Sequence, residues 1–236
     1  MTGVSFVVPA WNEAEGIGAT LSALAAAGMA CGRGWEIVVV DNASTDRTAE
    51  IARAAGARVV SEPIRQIARA RNAGARAASG RLLVFVDADT LASPELVLDA
   101  LGAMDSGRAV GGSTEVRFLG GSWPARLAAG AWNRISRRLG WGAGCFLFCL
   151  REAWEGVGGF DERVYASEDV WFSQALKRWA KPRGLEFRIL SGHPPRTSPR
   201  KMEGRDLLRS ILQFALLAAC PWLARSRRAC FLWYRR

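Results

Sequence analysis

Asp87 and Asp89 close the apolar run Leu82-Leu-Val-Phe-Val and are separated by one alanine. Along an extended chain successive side chains alternate, so residues two apart point to the same side. Two carboxylates presented together are hard oxygen ligands suited to Mg2+ or Mn2+, ions that keep several waters and bridge to phosphates. Such a pair at the end of a buried strand can hold a nucleotide diphosphate. A second pair, Glu168-Asp169, opens a helical pattern running to Trp179, where acids also favour the positive end of a helix. Asp41 ends another apolar run, and His193 is the single histidine of the chain.

The elements that must position these groups follow from the patterning. Valine- and isoleucine-rich runs at 4–8, 37–40, 58–60 and 82–86 read as strands, and alanine-rich segments at 14–28, 45–55 and 64–79 have helical spacing. Near-continuous apolar strands alternating with helices require a parallel sheet covered on both faces. Ligands of such sheets bind beyond the carboxyl ends of the strands, where the strand order reverses. Pro9, Asn12, Asp41, Asn42, Glu62, Asp87 and Asp89 are therefore expected to share one crevice. After Gly112 the composition turns rich in Gly, Trp and Arg, and Trp123, Leu127, Ala131, Ile135 and Leu139 form one helical stripe. A Pro/Arg-rich loop at 192–201 follows the second carboxylate pair. The expected division is 1–115 as a ligand-binding half, 116–200 as a second half and 201–236 as a tail, all within one compact unit.

Six segments, in order, carry a resemblance: Val-Val-Pro-Ala-Trp-Asn-Glu (7–13), Val-Val-Asp-Asn-Ala-Ser-Thr-Asp-Arg-Thr (39–48), Ala-Arg-Asn-Ala-Gly (70–74), Asp-Ala-Asp (87–89), Gly-Gly-Phe-Asp-Glu (158–162) and Glu-Asp (168–169). Together they resemble the motifs of family-two glycosyltransferases, inverting nucleotide-sugar transferases with the GT-A fold. The resemblance implies a Rossmann-like, mostly parallel α/β sheet with a smaller acceptor-side region and a helical tail. It also implies that Pro9, Asn12 and Glu13 lie around the nucleotide, that Asp41 binds its base or ribose, and that Asp87 and Asp89 hold the metal-bound diphosphate. Arg71 either approaches the diphosphate or belongs to a solvated basic helix face with Arg65, Arg69 and Arg76. Glu168 and Asp169 resemble the acceptor-side pair, with Asp169 as general base. His193 either completes the Mg2+ or Mn2+ coordination, as a late loop residue does in some GT-A enzymes, or is structural. Arg196, Arg200 and Lys201 could close over the diphosphate. Ser44 and Thr45 are expected to cap the helix that follows them. Gln174 to Trp179 comes near the Q-x-x-R-W element of processive synthases but has one residue too many, so transfer of a single sugar is expected, with Trp179 in the core.

Composition bounds the partners. Hydrophobic residues make up 50% and charged residues 23%, ordinary globular usage. The net charge of +10 calls for an anionic partner, and the last 36 residues, with eight basic and two acidic side chains, carry much of it. Trp222, Arg225, Arg227, Arg228, Phe231, Trp233, Tyr234, Arg235 and Arg236 interleave aromatics with cations. This tail, 207–236, suits either peripheral contact with anionic lipid or a buried helix with a basic end. No nucleic-acid recognition module accompanies it. The five cysteines contain no C-x-x-C pair, the amino end has no basic segment leading into a long apolar core, and the apolar stretch 211–223 is broken by Pro221. Those features predict a reducing, cytoplasmic setting, either free or peripheral at the cytoplasmic membrane face. A nucleotide-sugar donor and a glycan or lipid-linked acceptor are the expected partners. Two competing classes are a non-catalytic binding protein of the same fold and a nucleotidyltransferase. The latter expects a Gly-rich phosphate loop after the first strand, where this chain has Pro9-Ala-Trp-Asn-Glu13.

Overall fold

The computed structural model describes residues 3–120 and 122–198 and, beyond them, 210, 212–213, 216–217, 219–230 and 234. Its centre is a seven-stranded sheet. In chain order the elements are β1 (Val4–Ala10), α1 (Ile17–Ala30), β2 (Trp35–Asp41), α2 (Thr48–Ala54), β3 (Arg58–Ser61), α3 (Ile67–Ala77), β4 (Leu82–Val86), β5 (Thr90–Leu91), α4 (Pro94–Asp105), β6 (Ala109–Thr114), β7 (Arg117–Phe118), α5 (Trp123–Leu139), β8 (Phe146–Leu150), α6 (Arg151–Gly156), α7 (Glu168–Ala180), β9 (Glu186–Leu190) and β10 (Arg196–Thr197).

The sheet order is β3-β2-β1-β4-β8-β6-β9. The chain steps outward from β1 to β2 and β3, then returns to place β4 on the other side, so the order reverses between β1 and β4. All three contacts in this half are parallel. The second half is mixed, with β8 antiparallel to both β4 and β6 and β9 parallel to β6. Every residue of β1, β4 and β6 is buried, as a sheet covered on both faces demands. The two apolar layers are distinct: one joins β1, β2, β4 and β8 to α1 and α4, the other joins the opposite faces to α3, α6 and α7.

The register explains a proline inside a central strand. β1 pairs with β2 through Ala10 but with β4 only through Val7. The carbonyl of Gly3 faces Leu82 on the β4 side and that of Ala10 faces Asn42 on the β2 side. Alternation then aims the nitrogen of Pro9 toward β4 just where that ladder has ended, so its missing N–H costs no bond. Beyond this point the two strands part, and their ends form the walls of a crevice.

Helix starts move inward from the spacing-based expectations for a physical reason: residues 12–13, 42–48 and 62–66 are committed to side-chain bonds with one another. Asn42 donates Nδ2 to the carbonyls of Glu62 and Ile64 and accepts from the N–H of Gln66. Gln66 is consequently extended, and α3 begins only at Ile67. Gly74 sets how close α3 lies to the sheet, since a Cβ there would fall 2.3 Å from Val7 Cγ1 and 2.8 Å from Val40 Cγ2. A small second sheet, β5-β10-β7, sits immediately after Asp89. Its central strand is the short extended part of the Pro/Arg-rich loop.

Candidate active site

Among the described residues three non-glycine residues adopt left-handed backbone conformations, Asn12, Ala43 and Ser167. Asn12 follows β1, Ala43 follows β2, and Ser167 precedes Glu168. Such conformations cost on the order of 1–3 kcal/mol and cluster where surrounding structure holds a functional loop in place. Here the holding bonds are visible. Asn12 receives the N–H of Thr45 on Oδ1 at 2.8 Å, and its own N–H reaches Ser44 Oγ at 3.1 Å. Glu13 N–H donates to Thr48 Oγ1 at 2.8 Å, and Ala14 N–H to Asp46 Oδ2 at 3.1 Å. Asp41 Oδ1 accepts from Ser44 N–H at 3.0 Å. The expectation that Ser44 and Thr45 cap α2 is corrected: they brace the β1 loop against the β2 loop, while Asp46 takes the N–H of Thr48 at the helix start.

Arg71 occupies the centre. Only 1% of its surface is exposed. Nη2 donates to Asp87 Oδ1 and to the Gly144 carbonyl, each at 2.9 Å, and Nη1 donates to Glu168 Oε1 at 2.5 Å. One guanidinium thus joins the aspartate at the end of β4 to the acidic pair opening α7. Burial alone would discourage its charge, but Asp87, Glu168 and Asp169 more than offset this and hold it protonated. The expectation of a solvated basic face therefore fails for Arg71. Its hydrogen bonds run to protein oxygens, with Asp87 and Glu168 as its ion-pair partners. Arg69 and Arg76 reach Glu162, and Arg65 stacks its guanidinium 3.2 Å from the Trp11 ring centroid.

Asp169 sits deep among protein atoms while keeping part of its surface open. Desolvation, reinforced by the neighbouring Glu168 carboxylate, raises its pKa to about 7, against the opposing pull of Arg71 and of the Val170 and Gly144 N–H groups. A carboxylate so placed is a competent proton acceptor near neutral pH. Gly144 is a functional position that residue patterning did not single out: a Cβ there would meet Arg71 Nη2 at 2.8 Å and Asp169 Oδ2 at 3.0 Å. Its only signal in the sequence is the Gly142-Ala-Gly144 run between α5 and β8. Cys145, beside it, is buried near Asp87, Asp89 and Asp169, and desolvation first and these charges second push its thiol far above the range of a nucleophile.

The Gly-Gly-Phe-Asp-Glu segment works as a clasp. Asn72 on α3 pairs both ways with the Phe160 backbone at 2.9 Å, and its Nδ2 also reaches Glu162 Oε1 at 2.9 Å. Gly159 is in left-handed backbone, and a Cβ on it would collide with Asn72 Oδ1 at 2.5 Å. Phe160 stacks on Phe172 of α7 with centroids 4.1 Å apart. The clasp thereby fixes α7, and with it Asp169, relative to the helix that carries Arg71.

Asp87 and Asp89 follow β4 as expected, and Thr197 of β10 ties the late loop down beside them through a 2.9 Å bond from Thr90 Oγ1. Among the described residues no group of three or more His, Cys, Asp or Glu side chains is gathered to hold a metal. The donor set nevertheless suits Mg2+ or Mn2+, which usually draws on one or two carboxylates and completes its octahedron with waters and substrate phosphates. His193 is placed with Asp99 on α4, Nδ1 lying 2.8 Å from Oδ2, instead of with the two aspartates. Arg196 is exposed on β10, and Arg200 and Lys201 lie outside the described residues, as do Phe231, Trp233, Arg235 and Arg236 of the tail. Trp179 is partly buried against the α7 core layer, with Arg183 stacked 3.8 Å from its ring.

The sheet reverses its order between β1 and β4, and Asp87 at the end of β4 is joined through Arg71 to Glu168 at the start of α7, the arrangement of a candidate group-transfer site. A model of Glycosyl transferase family 2 matches residues 5–148, more than half of the chain, and the chain belongs to that family. Among curated relatives it is 38% identical over 106 residues to validoxylamine A glucosyltransferase of Streptomyces hygroscopicus subsp. jinggangensis, covering 42% of this chain and 25% of that protein. It is 35% identical over 118 residues to undecaprenyl-phosphate 4-deoxy-4-formamido-L-arabinose transferase of Edwardsiella ictaluri, covering 47% and 36%. The chain thus spans well under half of these relatives. A mannosyltransferase from Pyrobaculum calidifontis, solved with GDP-Man and Mn2+, superposes with a TM-score of 0.70 at 22% identity over 97% of this chain and 69% of that one. Glucosyl-3-phosphoglycerate synthase of Mycobacterium tuberculosis, solved with Mn2+, UDP-glucose and phosphoglyceric acid, gives 0.64 at 21% identity over 95% and 79%. The fold is that of GT-A glycosyltransferases.

Proposed function

We propose that this protein transfers one sugar, with inversion, from a nucleotide-diphosphate sugar to an acceptor that is a glycan, a lipid or a lipid phosphate. The observation that carries this reading is the Arg71 bridge, which couples the carboxylate of the β4 end to the acid pair of α7 across one crevice. The nucleoside lies over the braced loops, with Pro9, Asn12 and Glu13 shaping its seat and Asp41 accepting from base or ribose. Asp87 and Asp89 face the diphosphate, with His193 as a further ligand if its loop turns from Asp99. Mg2+ or Mn2+, when bound there, supplies positive charge to the departing diphosphate.

Asp169 takes the proton of an acceptor hydroxyl as its oxygen bonds to the anomeric carbon and the bond from that carbon to the diphosphate oxygen breaks. Glu168 keeps Arg71 oriented, and Arg71 holds Asp87, so the guanidinium acts as a positioning residue between the two sides. The mannosyl- and glucosyltransferase structures, solved with nucleotide sugars and Mn2+, support the donor class. The undecaprenyl-phosphate relative supports a lipid-linked acceptor. Among the described residues no helix is long and apolar enough to cross a membrane. The tail folds Leu217, Ala224 and Cys230 against Val164 and Ala166 while leaving Leu212 and Trp222 exposed, an arrangement that suits peripheral contact at the cytoplasmic membrane face.

The test uses a panel of UDP-, GDP-, CDP- and TDP-sugars with Mn2+ and candidate acceptors. Asp169→Asn should keep donor-induced thermal stabilisation and lose about 100-fold or more of transfer, the usual worth of a positioned base. Transfer unaffected by the substitution would remove Asp169 from its role, and donor binding without turnover in the wild type would favour a non-catalytic binding protein.

A further inference from the structure

α5 is the helix that the spacing of large apolar residues foretells, but it presents that stripe outward. Trp123, Leu127, Ile135 and Leu139 are exposed, Trp123 by 69% and Leu127 by 61%, whereas the residues facing the protein are the small Ala125, Ala129 and Ser136. The helix contains four arginines, Arg126, Arg134, Arg137 and Arg138, and no acidic residue. Arg126, Arg134 and Arg137 line a groove of about 320 Å3 with Leu127, Asn133 and Glu115, the last paired with Arg137. Amphipathic helices that lie in a lipid interface combine these features: bulky apolar side chains with tryptophan, and cations that meet anionic headgroups.

We propose that the outer face of α5 is a docking surface for an anionic lipid bilayer, with the stripe entering the headgroup boundary and the arginine-lined groove receiving phosphate headgroups. The charge pattern decides between this occupant and a second copy of the chain. A two-fold contact through the same face would set arginines against arginines, with no acid on the helix to offset them. The helix also leads directly into the active site, because Gly144, five residues beyond Leu139, receives Arg71 on its carbonyl. A docked α5 therefore places the Glu168-Asp169 side next to the lipid surface. This surface is carried by a different element from the tail, and the proposal does not depend on the transfer reaction.

Co-sedimentation of the full chain with vesicles tests the proposal. Vesicles of phosphatidylcholine containing about one-third phosphatidylglycerol should bind the wild type at ~0.1 M salt, and pure phosphatidylcholine should bind it at least about tenfold more weakly. Leu127→Glu with Ile135→Glu should lower binding by about tenfold or more, and Arg134→Ala with Arg138→Ala by about fivefold for each arginine removed. Both variants should melt with the wild type and keep its donor-induced stabilisation, which separates failure here from failure of the donor site. Unchanged vesicle binding in both variants, or none by the wild type, overturns the proposal. So does a wild-type dimer that the glutamates dissociate without any vesicle binding, since the face then serves a second copy.

Discussion

Asp169 and Arg71 are opposite solutions to one burial problem. Arg71 stays charged because three carboxylates surround it, whereas Asp169, the third of these, ionises reluctantly because burial strips its water and the neighbouring Glu168 carboxylate repels its charge, against the pull of Arg71. The sign of the consequence is definite. A carboxyl whose folded pKa lies above its unfolded value contributes stability that is complete at low pH and lost as pH rises toward about 7. Asp169→Asn removes that loss, so at about pH 8 the variant should unfold later than the wild type, by on the order of 1–3 kcal/mol, with the gap closing near pH 4. Transfer by the wild type should rise with pH through the same window, as the base loses its proton, and a rate profile flat between about pH 5 and 8 would contradict the assignment. Arg71→Met should be more damaging, about 3–5 kcal/mol in urea unfolding, because it strands Glu168 and Asp87 without their cation. Arg71→Lys keeps the charge but cannot reach both carboxylates and the Gly144 carbonyl in one plane, so it should fold and show reduced turnover with a nearly normal donor KM.

At the scale of elements, the close seat of α3 on β1 and β2 is what brings Arg71 into the crevice. Gly74→Val would drive a side chain into Val7 and Val40 and should cost about 1–3 kcal/mol, with a loss of donor binding larger than the stability change explains. Asn12→Ala removes both the bonds to Thr45 and the residue type that tolerates left-handed backbone, and thermal melting should fall by about 1 kcal/mol or more. These elements also show where the sequence was legible. The four strands of the first half and α5, predicted over 123–139, lie where periodicity puts them, because buried parallel strands and amphipathic helices write their environments into their side chains. Starts of α1, α2 and α3 were each displaced by three residues, since loop-to-loop bonds among Asn12, Asn42, Ser44 and Gln66 join positions about 20 to 30 residues apart and leave no local pattern. The bridge by Arg71 was invisible for the same reason: in sequence it is one of several arginines on a helix. The outward direction of the α5 stripe was equally hidden, because spacing tells which residues share a face and not what that face meets.

Across the whole molecule, the two halves of the sheet do different work. The parallel half ends in loops that brace one another and offer polar groups, and the mixed half brings β8 and α7 back so that Gly144 and Asp169 close the opposite wall. The charge of +10 fits the proposed anionic donor and the anionic lipid surface proposed to receive α5. The central claim is that a sugar nucleotide binds at the switch point through an ion held by Asp87 and Asp89. Differential scanning with UDP, GDP, CDP and TDP sugars, each with and without Mn2+, measures it directly, since a ligand bound only by the folded state raises the melting temperature. One nucleotide class should raise it by several degrees only when Mn2+ is present, and Asp89→Asn should abolish the rise while Asp169→Asn preserves it. A rise that is independent of Mn2+ and unchanged in Asp89→Asn, or no rise with any donor, would contradict the site described.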